Sequence, residues 1–366
     1  MVDDIYEAVE RLAAQGVTFL DALSSVNNTT PSHVSLMTGL SPRDTGLIVN
    51  AKHLADEAPT LAEAFRELGF ATLASVSATP VDHKLSNLGQ GFDRYAVPLG
   101  MSVHDAEDAL GHIHKWLEDY EGEPVFAWVH IYDAHGPYDA PDPFKTQYYE
   151  GGRDPFDSQA AGAEPSLAPY WDKTIADPAY TASLYKGEIT YLDSELGKLF
   201  DLPRVQNGIV AVTADHGEVL RYGPGNPFDH RGLSLSTLAV PLILKAPGIA
   251  PGTQRTEPVS HLNIGRTLLN LAGFPETEFP GRDLIESSPE LGEPRFAMEG
   301  SGLSAAMVTD KWLFNLSLRP LTFDAVSAPE LLHSVRLYDL ESDPTCRFDV
   351  WEENVETTTA MRLRLL

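Results

Sequence analysis

The sequence predicts an α/β fold: a mostly parallel central sheet sandwiched by helices, followed by a small antiparallel sheet with a helix. Helical and strand patterns alternate from Thr60 to Lys245, and two apolar runs, Val125 to Ile131 and Ile209 to Thr213, each end in a polar cluster. From about Phe296 the texture changes to short alternating runs. Ile209 to Thr213, bounded by Gly208, reads as a buried strand of a parallel sheet. It delivers Asp215 and His216 just past its carboxyl end, where open α/β sheets bind ligands.

Taken in order, residues 3 to 15 pattern as an amphipathic helix: Asp3 or Asp4 caps it, Ile5, Val9 and Leu12 share one face, and Gly16 ends it. Val17 to Leu23 is a short extended run. Thr29-Thr30-Pro31-Ser32-His33 then opens a helix with Pro near its first turn. That places the Thr29 hydroxyl at a helix N-terminus, where the dipole and free N–H groups favour an anion, with His33 one turn later on the same face. Thr60 to Leu68 is another amphipathic helix, and Phe70 to Val76 is a strand feeding the loop Ser77 to Asp93.

Helix Val103 to Tyr120 precedes the strand Val125 to Ile131, which empties into Tyr132-Asp133-Ala134-His135-Gly136-Pro137-Tyr138. Residues 139 to 178, rich in Pro, Gly, acids and scattered aromatics, read as a lid or specificity insertion. Helix Tyr180 to Leu199 leads back to the strand at Ile209. A Gly/Pro loop, Arg221 to Asp229, carries into His230-Arg231-Gly232-Leu233-Ser234, and Val240 to Lys245 is a further strand. Val259 to Leu271 reads as a helix ended by Gly273. MVTDKWLFNLS and HSVRLYDLES read as the antiparallel sheet, and a last helix lies near Val355 to Leu366. The division expected is 1–290, with the insertion, and a packed subdomain at 291–366.

With 366 residues, 43% of them hydrophobic, the chain can bury a large core. A formal net charge of −27 argues against nucleic acid, whose phosphates would be repelled over most of the surface. Only 9 of its 26 basic residues are Lys, a balance that resembles proteins of salt-rich cytoplasm. The single cysteine, Cys346, excludes an intrachain disulfide and a thiolate zinc cluster. No apolar run suffices for a membrane span, and the N-terminus lacks a secretory pattern, so a cytoplasmic location is expected. Oligomeric state is not legible.

Asp215 beside His216 at a strand end, with Gly217 where the backbone needs room, suits an N/O site for Zn, Mn or a similar divalent ion. A Thr hydroxyl is a poor nucleophile at neutral pH, and such an ion would favour its alkoxide and neutralise charge on the transferred group. Histidines across the site can protonate the departing alcohol. Blander readings exist: Thr29 as a helix cap, Asp215 as a cap after a strand, Asp133 as a turn former before Gly136-Pro137. The downstream His230 favours a ligand role for Asp215 and His216.

NTTPSHVSLMTGLSPRDTG, FAWVHIYDAHGPY, TADHGE with FDHRGLS, VPLILKAPG and the closing RLYDLESDP together resemble the sulfatase family of the alkaline phosphatase superfamily. The resemblance implies an alkaline phosphatase-like fold and a covalent mechanism at a divalent ion, Zn, Mn or Ca. It places the nucleophile, also a metal ligand, at Thr29 and the basic position of the same motif at His33. Asp215 and His216 match metal ligands. His135 and His230 match residues that contact the transferred group or protonate the leaving oxygen, and Asn50 and Asp133 fall where substrate would be lined.

True sulfatases convert Cys or Ser at the nucleophile position to an aldehyde hydrate, which Thr29 cannot give because its β-carbon bears a methyl group. Thr-bearing relatives resemble phosphoesterases. The expectation is therefore hydrolysis of a small anionic ester, phosphate ahead of sulfate, through Thr29. The alternatives are a phospho-headgroup transferase, or a catalytically impaired or non-catalytic binder. The resemblance also implies an acid-tipped strand before the first helix. Asp3 and Asp4 do not replace it, since a helix of about 12 residues holds them roughly 18 Å from its far end. On that reading the chain begins too late and 1–366 alone is expected to bind metal weakly and to have little activity.

Overall fold

The computed structural model describes residues 6–50, 52–100, 103–220, 228–287, 292–318 and 333–366. It begins with α1 (Glu7–Gln15), whose N-cap, Tyr6, offers no side-chain hydrogen bond. The cap comes from across the fold. Asp193 accepts the Ala8 N–H at 2.8 Å and the Val9 N–H at 2.9 Å, supplying both acceptor and negative charge to the positive end of the helix. The expected caps, Asp3 and Asp4, lie outside the described residues, as does Ile5. Gly16 closes the helix as expected. A Cβ there would fall 2.3 Å from the Leu244 carbonyl oxygen, so only glycine lets the two backbones approach.

Strands β1 (Val17–Phe19) and β2 (Ala22–Leu23) lead to α2 (Thr29–Thr38). All of α2 except Leu36 is buried although six of its ten residues are Thr, Ser or His. A polar helix can be buried only if its hydroxyls find partners. Thr30 Oγ1 donates to the Pro80 carbonyl (2.6 Å), Ser32 Oγ to the Asp215 carbonyl (2.6 Å) and Thr38 Oγ1 to the Val34 carbonyl (2.7 Å). These bonds fix the helix against the loops that form the site.

Helix α3 (Pro42–Thr45) and α4 (Leu61–Glu67) follow, the latter closed by a capping box between Thr60 and Glu63. Strand β3 (Ala71–Val76), buried at all six positions, lies between β4 (Arg94–Ala96) and β5 (Val125–His130), both parallel to it. Between them come α5 (His83–Ser86) and α6 (Ala106–Asp119), capped by Asp105. Residues 139 to 177 contain one short 3-10 turn, Pro165–Leu167, before α7 (Pro178–Phe200).

After α8 (Pro203–Gln206), β6 (Val210–Thr213) departs from expectation. It is half-buried, with Ala211 exposed, and pairs antiparallel with β7 (Leu242–Lys245), which follows α9 (Leu235–Leu238). An apolar run reports that helices cover a strand's faces; it does not encode the direction of the neighbour. Val210 and Val212 do pack with Ala8, Leu12 and Phe200 of α1 and α7. The order is β6-β7-β1-β8, with β8 (Thr253–Arg255) parallel to β1, so the central pairing is mixed.

The expected helix Val259 to Leu271 begins instead as β9 (Val259–Ser260), paired with β2, and a turn at His261–Asn263. Only α10 (Ile264–Leu271) is helical; β-branched Val259 and the capping Ser260 hold the first part extended. The C-terminal sheet, β10 (Arg295–Met298), β11 (Ser304–Val308), β12 (Trp312–Ser317) and β13 (Val335–Asp339), is antiparallel throughout. Helix α11 (Val355–Leu365) packs on it through Met361.

Candidate active site

The N-terminus of α2 is held from both sides. Upstream, Asn27 Nδ2 donates to the carbonyls of His230 (2.6 Å) and Gly232 (2.8 Å), and its Oδ1 accepts the Gly300 N–H at 2.8 Å. Downstream, Ser32 holds the Asp215 carbonyl and His33 Nδ1 stands 3.9 Å from Asp215 Oδ2. Thr29, 4% exposed, is the first helical residue and lies between these two anchors. Asn50 Oδ1 accepts the Thr30 N–H at 2.8 Å, which puts Asn50 beside Thr29.

The imidazoles are fixed by their own neighbours. Carbonyl oxygens only accept, so the bonds from His33 Nδ1 to the Thr29 carbonyl (2.8 Å), His135 Nδ1 to the Gly136 carbonyl (2.6 Å) and His216 Nδ1 to the Gly217 carbonyl (3.0 Å) each place a proton on Nδ1. Each neutral ring then keeps the Nε2 lone pair. That of His216 is buried and accepts no hydrogen bond among the described residues, and it stands 3.4 Å from Asp215 Oδ2. The turn that brings it there needs Gly217, because a Cβ would lie 2.1 Å from the Ser236 carbonyl oxygen. His216 and His230 have ring centroids 4.3 Å apart, and His230 and His135 5.7 Å.

Thr29, His33, Asn50, His135, Asp215, His216 and His230 are thus drawn to one end of β5 and β6. Asp133 is not. Its Oδ1 accepts the Ala106 N–H at the start of α6 (3.1 Å), and burial pushes its carboxyl up to about 6. Two buried histidines join the cluster that sequence reasoning passed over. His130 accepts the Ser77 N–H at 3.3 Å and lies edge-on to His33, 4.8 Å between centroids. His261 spans Ser32 Oγ and Thr213 Oγ1, both at 3.3 Å. Both end a strand or follow one directly, the rule that singled out Asp215 and His216.

Burial dominates the electrostatics. It lowers His130 and His230 to about 3 and His261 to about 4, with neighbouring imidazoles adding to it, and it lowers His33 and His135 against the pull of Asp215. Burial alone would raise Asp215, but His216, His33 and His130 overcome it and hold the carboxylate below its ordinary range. The donor chemistry of an ionised Asp215 with the free His216 Nε2 fits a divalent ion as a two-donor half-site. Among the described residues, no group of three or more His, Cys, Asp or Glu converges to complete it.

A sequence profile described as Sulfatase matches residues 4–274. The chain is 26% identical to an ulvan-active sulfatase of Formosa agariphila over 76% of its own length and 59% of that protein's. It is 25% identical to a choline-sulfatase of Rhizobium meliloti, covering 92% of this chain and 75% of that one. Among solved structures it is similar to a phosphonate monoester hydrolase from Silicibacter pomeroyi, with a TM-score of 0.74 at 18% identity over 98% of this chain and 90% of that one. That likeness is one of fold.

Proposed function

The chain belongs to the sulfatase family, and from that premise we propose that it hydrolyses a small anionic ester through a covalent bond to Thr29. The observation that carries the reading is the seating of Thr29 at the first turn of α2, between the Asn27 anchor to the His230 loop and the Ser32 and His33 contacts to Asp215. Asp215 and His216 would hold a divalent ion, and its chemistry there is Lewis acidity toward a hydroxyl and toward the oxygens of the transferred group.

The protein's own groups do the rest. The first N–H groups of α2 orient the anion. Thr29 Oγ gives its proton to solvent and bonds to phosphorus or sulfur, and the bond to the ester oxygen breaks. The departing alcohol takes a proton from His135 or His230, and water then cleaves the Thr29 ester. Both histidines are neutral in the free site at neutral pH, since burial holds them down. An arriving anion raises them, so the acid forms only when substrate is present. Asn50 helps order the α2 N-terminus. Residues 139–178 would set specificity, and 291–366 would pack as a subdomain on the catalytic 1–290.

Phosphate, phosphodiester or phosphonate esters are favoured over sulfates because Thr29 cannot form an aldehyde hydrate. The relatives' names divide between ulvan and choline, so they do not choose a substrate. The test is a panel of aryl phosphate, phosphodiester, phosphonate and sulfate with Mn, Zn, Ca and Mg, combined with acid quench and mass spectrometry. Thr29 should carry the transferred group, and Thr29→Ala should lose turnover. Turnover that survives Thr29→Ala would end the covalent reading. A second reading, an anion-binding protein without turnover, draws on the finding that no third ligand converges among the described residues; metal bound at unit stoichiometry with measurable turnover would end it.

A further inference from the structure

His230 is held differently from the other rings of the site. Those of His33, His135 and His216 each donate to a backbone carbonyl, whereas no hydrogen bond reaches the His230 ring among the described residues. Where that ring stands is therefore set by its own backbone and by what it packs on. The Asp229 carboxylate accepts the His230 N–H at 2.8 Å, Asn27 donates to the His230 carbonyl, and Gly232, at φ +79°, makes the turn that follows.

Two further bonds to this loop come from the C-terminal sheet. Glu299, just past β10, accepts the Gly232 N–H on Oε1 at 3.3 Å, and its Oε2 accepts the Ser304 hydroxyl at 3.1 Å, which ties the carboxylate to the start of β11. Asn315, within β12, donates from Nδ2 to the Leu233 carbonyl at 2.9 Å. The Leu233 side chain is buried in one apolar cluster with Ala297, Ala306, Val308 and Leu313 of β10, β11 and β12. The same stretch of sheet also grips the loop ahead of Thr29. The Met298 N–H donates to the Ser25 carbonyl at 2.9 Å, the Gly300 N–H donates to Asn27, and a Cβ on Gly300 would fall 2.2 Å from the Asn28 side chain. Three consecutive residues thus alternate between the loops: Met298 and Gly300 bind the one before Thr29, and Glu299 binds the one after His230.

We propose that Glu299 and Asn315 are positioning residues for His230: by fixing Gly232 and Leu233 they hold its ring beside His216 and His135, so that the C-terminal sheet takes part in turnover without touching substrate. The inference rests on the hydrolase reading, in which His230 is one of two rings able to protonate the departing alcohol. A shift of about 1 Å in such a group is enough to slow the chemical step while substrate still binds. Removing Glu299 leaves the Gly232 N–H without its acceptor, and removing Asn315 leaves the Leu233 carbonyl without its donor.

The test uses the full chain with phenyl phosphate and phenyl sulfate, whose leaving group needs the proton, and NMR of the histidine rings, the His230 signal being the one lost in His230→Gln. Glu299→Ala should lower kcat on the order of tenfold with KM held within about twofold, and Glu299→Gln, which keeps an acceptor for the Gly232 N–H, should restore most of it. In the His230→Gln background Glu299→Ala should cost nothing further, because the ring it positions is gone. The His230 signal should move in Glu299→Ala while that of His261 stays. If Glu299→Ala does not fold, Asn315→Ala runs the same comparison. The same fold-loss with and without His230, or a His230 signal that stays in place, overturns the assignment and leaves the hydrolase reading standing. A wild type that cleaves neither ester sinks the hydrolase reading, and the His230 signal alone then decides whether Glu299 and Asn315 place the ring.

Discussion

His261 gives the sharpest test of how the site is built. It is 1% exposed, spans Ser32 and Thr213, and is held at about 4 by burial. In the unfolded chain it titrates near 6.5. Between those values the unfolded state binds the extra proton, so stability falls as pH drops through 6.5 and the loss levels off near 4. Integrating from about pH 7.5 to about pH 5 gives a loss of about 2 kcal/mol from this one ring. Urea unfolding at the two pH values, in chelator, of wild type and His261→Gln measures it, since Gln keeps polar contact with both hydroxyls and does not titrate. The variant should lose about 2 kcal/mol less than wild type over that span. Acidification also relieves repulsion in a chain of charge −27, an effect of opposite sign that both proteins share and the difference cancels. Parallel stability curves would show that His261 is not buried as a neutral base.

Asp193→Ala should destabilise by about 2 kcal/mol in the same unfolding assay, because it orphans the Ala8 and Val9 N–H groups and removes a charge from the α1 N-terminus; a change below about 0.5 kcal/mol would mean that water replaces the carboxylate. Mass spectrometry should find resting Thr29 unmodified, and an aldehyde mass at that residue would overturn the chemistry assigned to it. Asp215→Ala should abolish metal binding measured by equilibrium dialysis. His135→Ala should leave metal bound and slow the release of poor leaving groups most; equal metal loss in both would make His135 a ligand.

The legible parts of the fold and site are those written in local chemistry. The helix that starts at Thr60, the Gly16 stop and the alternation of β11 to β13 are all short-range, and the structure bears each out. The strand-end rule found Asp215 and His216 but passed over His130, because its strand reads on to Ile131, and His261, because Val259 to Leu271 reads as one helix although its first residues are a strand. What the sequence could not show depends on distant partners. The α1 cap is Asp193, some 185 residues away, and nothing near Glu7 announces it. Asp133 sits in a polar stretch at a strand end, yet its partner is the N-terminus of α6, a contact set by how β5 and α6 pack. Asn27 lies in the loop before α2 and joins the α2 N-terminus, the His230 loop and Gly300 of the C-terminal region, partners that its neighbours in sequence do not announce.

The charge balance and the histidine cluster belong to one argument. A protein of net charge −27 repels an approaching anion at long range, and the buried imidazoles do nothing to offset this, since burial keeps them neutral until an anion is already among them. Attraction must then come from short-range terms: the α2 N-terminus, or an ion held by Asp215 and His216. Both act only at close range, where the helix N-terminus or the ion meets the anion directly.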